Sequence, residues 1–456
     1  MLFSSIPFLY YFLPAVLAAY FLVPKSGKNA VLLISSLIFY GWGEPKYVIL
    51  MAASIAAFYG FGLAIGYGKK KKLWLFLSVL TAVVLLGVFK YADFFISNIS
   101  AVTGLSLKLL KLALPIGISF YTFQCVSYTV DVYRGDVPAQ KNPISFGAYV
   151  TMFPQLIAGP IVRYADIARQ LNDRQSTWED IAYGARRFLV GLSKKVLLAN
   201  QLGLLTEIFR DSQQKSLVFY WMYAVAFMLH IYFDFSGYSD MAIGLGRIFG
   251  FRFLENFKYP YLSASVTEFW RRWHMSLGSW FRDYVYIPLG GNRVSKGRWV
   301  LNILAVWMLT GMWHGASWNF VVWGLLFGVL LLAEKWLPIE KLPKAVRHIG
   351  VLLTVMVSFV IFNAANLAQA GSDIAGLVGL GGVPAVTRES LYYLRSFAVV
   401  LILSIVGATP VVKTAAARIP QKVTAVLEPA VLVVLLALCT AYLVDGSFNP
   451  FLYFRF

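Results

Sequence analysis

Four histidines, His230, His274, His314 and His348, are the only imidazoles in the chain. His314 stands in Leu309-Thr310-Gly311-Met312-Trp313-His314-Gly315-Ala316-Ser317-Trp318-Asn319, between two apolar runs. An ionisable group at such a place is costly to bury and marks a functional position. An apolar surrounding disfavours the imidazolium, which leaves a neutral ring able to accept a proton. Gly311 and Gly315 remove side chains on either side, so a ligand or a neighbouring backbone can come close. The alternative is a histidine hydrogen-bonded between helices. Ser265 and Glu268 have capping-box spacing. Trp270, Trp273, His274, Leu277, Trp280, Phe281 and Tyr284 then recur at three- and four-residue steps, predicting one interfacial helix over 265–284 with His274 on its aromatic face. The helix runs out in Ile287-Pro288-Leu289-Gly290-Gly291-Asn292-Arg293, a turn whose glycines and arginine could receive phosphate groups. His230 and Asp234, four apart, share a helical face. Two ligands do not make a metal site, so an intramembrane hydrogen bond is the expectation there, and no metal is expected. No Gly-x-Ser-x-Gly elbow, Walker loop, His-x4-Asp pair or paired-cysteine spacing occurs.

The elements that must position these residues follow from composition. Hydrophobic residues make up 59% of the 456 and charged residues 13%, with a mean hydropathy of +0.68. That much apolar surface cannot be hidden in a water-soluble core, and its runs are continuous rather than alternating. The fold class is therefore all-α: a polytopic transmembrane helical bundle in the lipid bilayer. The net charge of +19 resembles a nucleic-acid-binding signature. Its basic residues, however, cluster between apolar runs, which is how a multi-span protein fixes its topology, and no nucleic-acid partner is expected. Cys125 and Cys439 sit far apart in apolar stretches and read as packing residues.

Apolar segments lie near 7–23, 30–43, 47–67, 73–89, 112–130, 217–235, 299–312, 316–333, 349–367, 392–410 and 423–443, with shorter or more polar ones near 91–106, 144–161 and 186–205. Several fall short of the roughly 20 residues of a perpendicular span, which predicts broken or re-entrant helices. With Lys25 placed inside, the stretches 24–29, 68–72, 133–195, 244–298, 334–348 and 411–422 hold 31 of the 40 Lys and Arg. Lys69 to Lys72 and 244–298 are then cytoplasmic, Phe3 and Asn449 outside. The long basic stretches 133–195 and 244–298 are expected to fold onto the cytoplasmic face.

Several stretches together carry a family resemblance. They are Phe3-Ser4-Ser5, Tyr121-Thr122-Phe123-Gln124, Phe153-Pro154-Gln155-Leu156-Ile157-Ala158-Gly159-Pro160-Ile161, Tyr232-Phe233-Asp234-Phe235-Ser236-Gly237-Tyr238-Ser239-Asp240, Arg272-Trp273-His274 to Gly290-Gly291-Asn292-Arg293, Met312-Trp313-His314-Gly315, and Asn449-Pro450-Phe451-Leu452-Tyr453-Phe454-Arg455-Phe456. The sequence resembles the membrane-bound O-acyltransferase family, in its bacterial branch of alginate, peptidoglycan and exopolysaccharide O-acetyltransferase membrane subunits. The resemblance is most specific over 230–320 and weakest over 334–445.

The resemblance implies one integral membrane domain over 1–456, with N-terminal spans at 1–130, a catalytic core at 131–333 and C-terminal spans at 334–456, arranged around a central tunnel. It implies location in the bacterial cytoplasmic (inner) membrane. The family's histidine matches His314 and a second position matches His274. The donor implied is cytoplasmic acetyl-CoA, a substrate rather than a bound cofactor, whose phosphates would suit Arg271, Arg272, Arg282 and Arg293. Arg163 and Arg186 are next in line. Gln155 and Asp234 are assigned to the substrate or tunnel lining. The acetyl group would cross to a polysaccharide hydroxyl outside, by way of an SGNH-type partner protein; alginate, peptidoglycan, a secondary cell-wall polymer and cellulose are all compatible acceptors. Thioester-to-alcohol transfer needs a base, which a neutral histidine in a water-poor site supplies. It also needs a donor to the thioester carbonyl, for which Asn319, Tyr284 or Ser317 is placed nearby in sequence. The competing reading is a secondary transporter or polysaccharide flippase with His314 in a proton relay.

Overall fold

The computed structural model describes residues 1–157 and 159–446. Ala158 and the Asn449 to Phe456 stretch, with the outside placement of Asn449, lie outside the described residues. Every regular element among the described residues is a helix, as required of a backbone that satisfies its own polar groups in lipid. In chain order the principal helices are α1 (Leu13–Leu22), α2 (Lys28–Gly43), α3 (Val48–Tyr67), α4 (Lys71–Thr103), α5 (Ile118–Arg134), α6 (Pro143–Thr151), α7 (Tyr164–Asn172), α8 (Trp178–Asp211) and α9 (Leu217–Ile248). They continue with α10 (Val266–Trp270), α11 (Met275–Phe281), α12 (Lys296–His314), α13 (Trp318–Trp336), α14 (Lys344–Asn363), α15 (Leu367–Leu377), α16 (Arg388–Gly407) and α17 (Gln421–Val444). Eight helices among the described residues are long and apolar enough to cross a membrane: the one ending with α3, then α4, α8, α9, α13, α14, α16 and α17. The protein is a polytopic helical membrane protein.

The chain folds into two compact units, Met1–Phe188 with Ser239–Leu254, and Leu189–Tyr238 with Glu255 onward. In the first unit, two of the stretches that carry the resemblance meet. Phe3 and Phe8 lie 6.4 and 6.1 Å, centroid to centroid, from Phe153. Gln155 belongs to this unit, buried, with its amide donating to the Tyr149 carbonyl.

Two corrections to the sequence reading concern spans. The segments expected at 73–89 and 91–106 are one helix, α4, because a five-residue π turn at Gly87–Tyr91 carries the backbone through without a break. The stretch 133–195 does not end as a separate element, since α8 starts at Trp178 and continues through a π turn at Lys194–Ala199 to Asp211. Lys195, at the end of that stretch, is not solvated. Its Nζ lies 2.5 Å from the Asp234 carboxylate, with side chains 0% and 1% exposed. A lysine tolerates such depth only when its charge is paired there. Asp234 is thus the partner of a buried cation.

α8 and α9 approach to backbone contact. A Cβ on Gly237 would stand 2.8 Å from the Gly191 carbonyl oxygen in the second unit, and one on Gly244 would stand 2.5 Å from that of Gly184 in the first. Glycines at these positions let the helix axes close up. The short separation also permits ion pairs between the same helices: Arg247–Asp180 at 2.9 Å and Arg187–Asp240 at 2.8 Å in the first unit, and Lys195–Asp234 in the second.

Candidate active site

The expected helix over 265–284 is broken in two. Its start is as read, with the Ser265 hydroxyl accepting the Glu268 N–H at 2.9 Å. The ladder runs out at Trp273, whose N–H donates to the Phe269 carbonyl at 2.9 Å, because the returning segment 256–258 captures the backbone beyond it: Lys258 N–H donates to the Arg272 carbonyl at 2.9 Å and Met275 N–H to the Asn256 carbonyl at 3.0 Å. His274 sits at the break in the left-handed region, φ 44° and ψ 52°, just before α11. That conformation is uncommon for a residue other than glycine, and here the hydrogen bonds from 256–258 on either side hold it.

Those surroundings define the imidazole. Asn256 Oδ1 accepts the Ser276 N–H at 3.2 Å and the Ser276 hydroxyl at 2.9 Å, which identifies it as the oxygen of the amide. It also lies 3.2 Å from His274 Nδ1. Facing an acceptor, Nδ1 must carry the hydrogen, and Nε2 therefore holds the lone pair. Nε2 has no hydrogen-bond partner among the described residues. The ring is 2% exposed and packs edge-on against Phe235 at 4.6 Å. Burial pushes its pKa down to about 3, so the ring is neutral at physiological pH.

His274 lines a cavity of about 650 Å³ in the second unit together with Trp270, Arg271, Arg282, Trp307 and Lys335. Its wall is mainly aromatic and aliphatic with cationic side chains added, and its size suits a small-molecule ligand. Of the four expected phosphate-binding arginines, Arg271 and Arg282 are at this cavity. Arg282 is 63% exposed at its side chain and paired with Asp283 at 2.7 Å. Arg272 is not at the cavity wall, because its guanidinium is held by Glu268 at 2.8 Å and by the Lys258 carbonyl. Arg293 is also elsewhere, exposed in the turn where Gly290 and Gly291 take positive φ.

His314 is the last residue of α12, 7% exposed, enclosed by the rings of Trp313, Trp323 and Phe362 at centroid distances of 4.9 to 5.2 Å. Trp313 also touches His274 at 5.7 Å, so one indole borders both imidazoles. The glycines near His314 serve helix packing. A Cβ on Gly311 would stand 2.2 Å from the Phe320 carbonyl oxygen, and one on Gly315 would stand 2.3 Å from the Phe320 ring. α12 and α13 are therefore in backbone contact on this side.

The three expected carbonyl donors have other places. Asn319 donates its amide to the Ala364 and Phe362 carbonyls at 2.9 and 3.4 Å, closing the C-terminal end of α14. Ser317 precedes α13 as its N-cap without a side-chain capping bond. Tyr284 packs against Trp280 with ring centroids 5.2 Å apart, tilted by 38°, and Tyr286 takes the cavity wall in its stead. Sequence reasoning missed Asn256, Trp307 and Lys335. Lys335 closes an apolar run and was traceable as its first cation, whereas nothing around Asn256 signals its role. No group of three or more potential metal ligands occurs among the described residues.

Residues 139–368 match the profile described as MBOAT, membrane-bound O-acyltransferase family. The chain is 39% identical to a probable alginate O-acetylase of Pseudomonas putida over 100% of both proteins. It is 43% identical to a probable alginate O-acetylase of Azotobacter vinelandii over 84% of this chain and 79% of that one. A peptidoglycan O-acetyltransferase of Helicobacter pylori is 34% identical over 84% of this chain and 81% of its own length. The matched profile covers half the chain and includes both histidines, the cavity and the turn between them. With full-length relatives of this similarity, the chain belongs to the membrane-bound O-acyltransferase family and is an O-acyltransferase.

Proposed function

We propose that the protein moves an acetyl group from cytoplasmic acetyl-CoA to a polysaccharide hydroxyl on the far side of a bacterial inner membrane, handing it on through an SGNH-type partner. The observation that carries the reading is the joint lining of one cavity by a neutral histidine and the cations Arg271, Arg282 and Lys335. An aromatic cavity with cations suits a donor that combines an apolar arm with phosphates. The names of the relatives, O-acetylases of alginate and of peptidoglycan, support acetyl as the group and polysaccharide as the acceptor.

His314 is assigned as the base. It takes the proton of the acceptor hydroxyl as the oxygen attacks the thioester carbonyl carbon, the carbon–sulfur bond breaks, and the proton is returned to the departing thiolate. Products are the acetyl ester and free CoA thiol. His274 offers its Nε2 lone pair to an amide N–H of the donor arm, a contact that orients the thioester. Burial among Trp313, Trp323 and Phe362 keeps water from the His314 side and limits hydrolysis.

The test is transfer of labelled acetyl from acetyl-CoA by the full chain in proteoliposomes, with thermal melts as a control for folding. Arg271→Ala is expected to raise the apparent KM for acetyl-CoA more than it alters acceptor dependence. Near-normal turnover by a folded His314→Ala protein would reject the base assignment, and wild-type protein without acetyl-CoA-dependent transfer would reject the donor.

A further inference from the structure

Three donors at the start of α10 converge on one carboxylate from another helix. Glu334, near the end of α13, accepts the Val266 N–H on Oε1. On Oε2 it accepts both the Thr267 N–H and the Thr267 hydroxyl, each at 2.8 Å. The Ser265 hydroxyl takes the Glu268 N–H, so the first three backbone donors of α10 are filled, two of them from α13. Glu268 by contrast uses its carboxylate within its own segment, on Ala264 N–H and Arg272.

A carboxylate bridging two successive N–H groups fixes both the height and the rotation of the helix it caps. Its charge also suits the positive end of the peptide dipoles. α10 has five residues, too few for its own hydrogen bonds to hold it firmly. Its orientation matters to the cavity. Thr267 lines it, Trp270 and Arg271 follow one turn on, and Lys335, next to Glu334, lines it from α13.

We infer that Glu334 is a positioning residue for the donor cavity. By clamping Val266 and Thr267 it sets where Trp270 and Arg271 stand, and so acts on donor binding and not on proton transfer. The inference rests on the reading of that cavity as the acetyl-CoA site.

Glu334→Gln keeps the side-chain length but turns an amide hydrogen toward a backbone N–H. In the reconstituted full-length protein it is expected to raise the KM for acetyl-CoA roughly tenfold, the scale of one lost charge-assisted hydrogen bond, with kcat within about twofold of wild type. Thr267→Val, which deletes one of the three bonds, is expected to shift KM in the same direction by less. A residue serving stability alone would lower the yield of folded protein and leave the KM of the folded fraction unchanged. An unchanged KM in folded Glu334→Gln protein overturns the inference, as does a fall in kcat alone. If that variant does not fold, an unchanged KM in Thr267→Val overturns it equally. Wild-type protein that lacks acetyl-CoA-dependent transfer rejects the donor reading, and the inference with it. Wild-type transfer with unchanged variant KM rejects the inference alone.

Discussion

Asn256 turns His274 from a residue type into a defined chemical species, since an oxygen already accepting from Ser276 can only accept from Nδ1. His274→Ala is therefore expected to weaken transfer by disturbing donor placement, while His314→Ala abolishes general-base assistance worth about 10² to 10⁴ in rate. Labelled-acetyl transfer by the two folded variants orders them, and an equal or greater loss in His274→Ala reverses the assignment. A second consequence concerns pH. The folded pKa of His274, about 3, lies below the roughly 6.5 of an unfolded histidine. Between these values the unfolded chain binds a proton that the folded chain refuses, so this contribution to stability is intact above about pH 6.5 and is lost as pH falls toward 3. Melting temperatures of wild type should drop across that window more than those of His274→Gln. Parallel curves would show that the ring does not resist protonation. Both histidines were legible as residues of interest because ionisable groups are scarce in this chain. The tautomer was not, because it depends on an amide 18 residues upstream in a segment without periodicity.

Helices announce themselves here through continuous apolar runs, and most were readable for that reason. What could not be read is where backbone continuity departs from side-chain pattern. Across 265–284 the aromatic periodicity persists on both sides of His274, but the captured carbonyl of Arg272 and N–H of Met275 end one helix and start another. At Lys194–Ala199 the reverse holds, since charges that look like a loop lie within a continuous helix. The reason is the α8–α9 contact, where Gly191 and Gly237 bring the backbones together and Asp234 receives Lys195. Asp234→Ala removes the counter-charge of a buried ammonium and should cost about 3 to 5 kcal/mol. Combining it with Lys195→Met removes the stranded charge, and the double variant should be the more stable of the two. Detergent-phase melts compare them. A double variant no better than Asp234→Ala would mean that the pair's charges are not what the site balances.

For the molecule as a whole, sidedness is the main statement to check. Phe3 is buried, so an outside label is better placed at exposed Lys108, beyond α4, with exposed Lys70 before it. α4 is long and apolar enough to cross once, and the charge asymmetry predicts a cytoplasmic Lys70. Native Cys125 and Cys439 are buried and contribute little background. A cysteine at Lys108 is expected to react with an impermeant maleimide from outside, and one at Lys70 only after the membrane is opened. Labelling of intact cells at Lys70 and not at Lys108 would invert the topology. The division into two units with interleaved chain segments was not legible, since each unit borrows part of α8 and α9, and hydropathy along a helix carries no sign of which neighbours it will acquire.

The Lys195–Asp234 pair also bears on how the chain enters the membrane during synthesis. α8 emerges from the ribosome first, and it is the least apolar of the eight candidate spans, with Lys194 and Lys195 near its middle. A lysine at such a position opposes insertion by about 2.5 to 3.5 kcal/mol. Its counter-charge does not exist until Asp234 has been translated, 39 residues later. Release of the two helices from the translocon together, as a hairpin, would offset that cost by bringing the Asp234 carboxylate to Lys195. The charge pair that joins the two helices in the finished protein thus also bears on when each can enter the membrane.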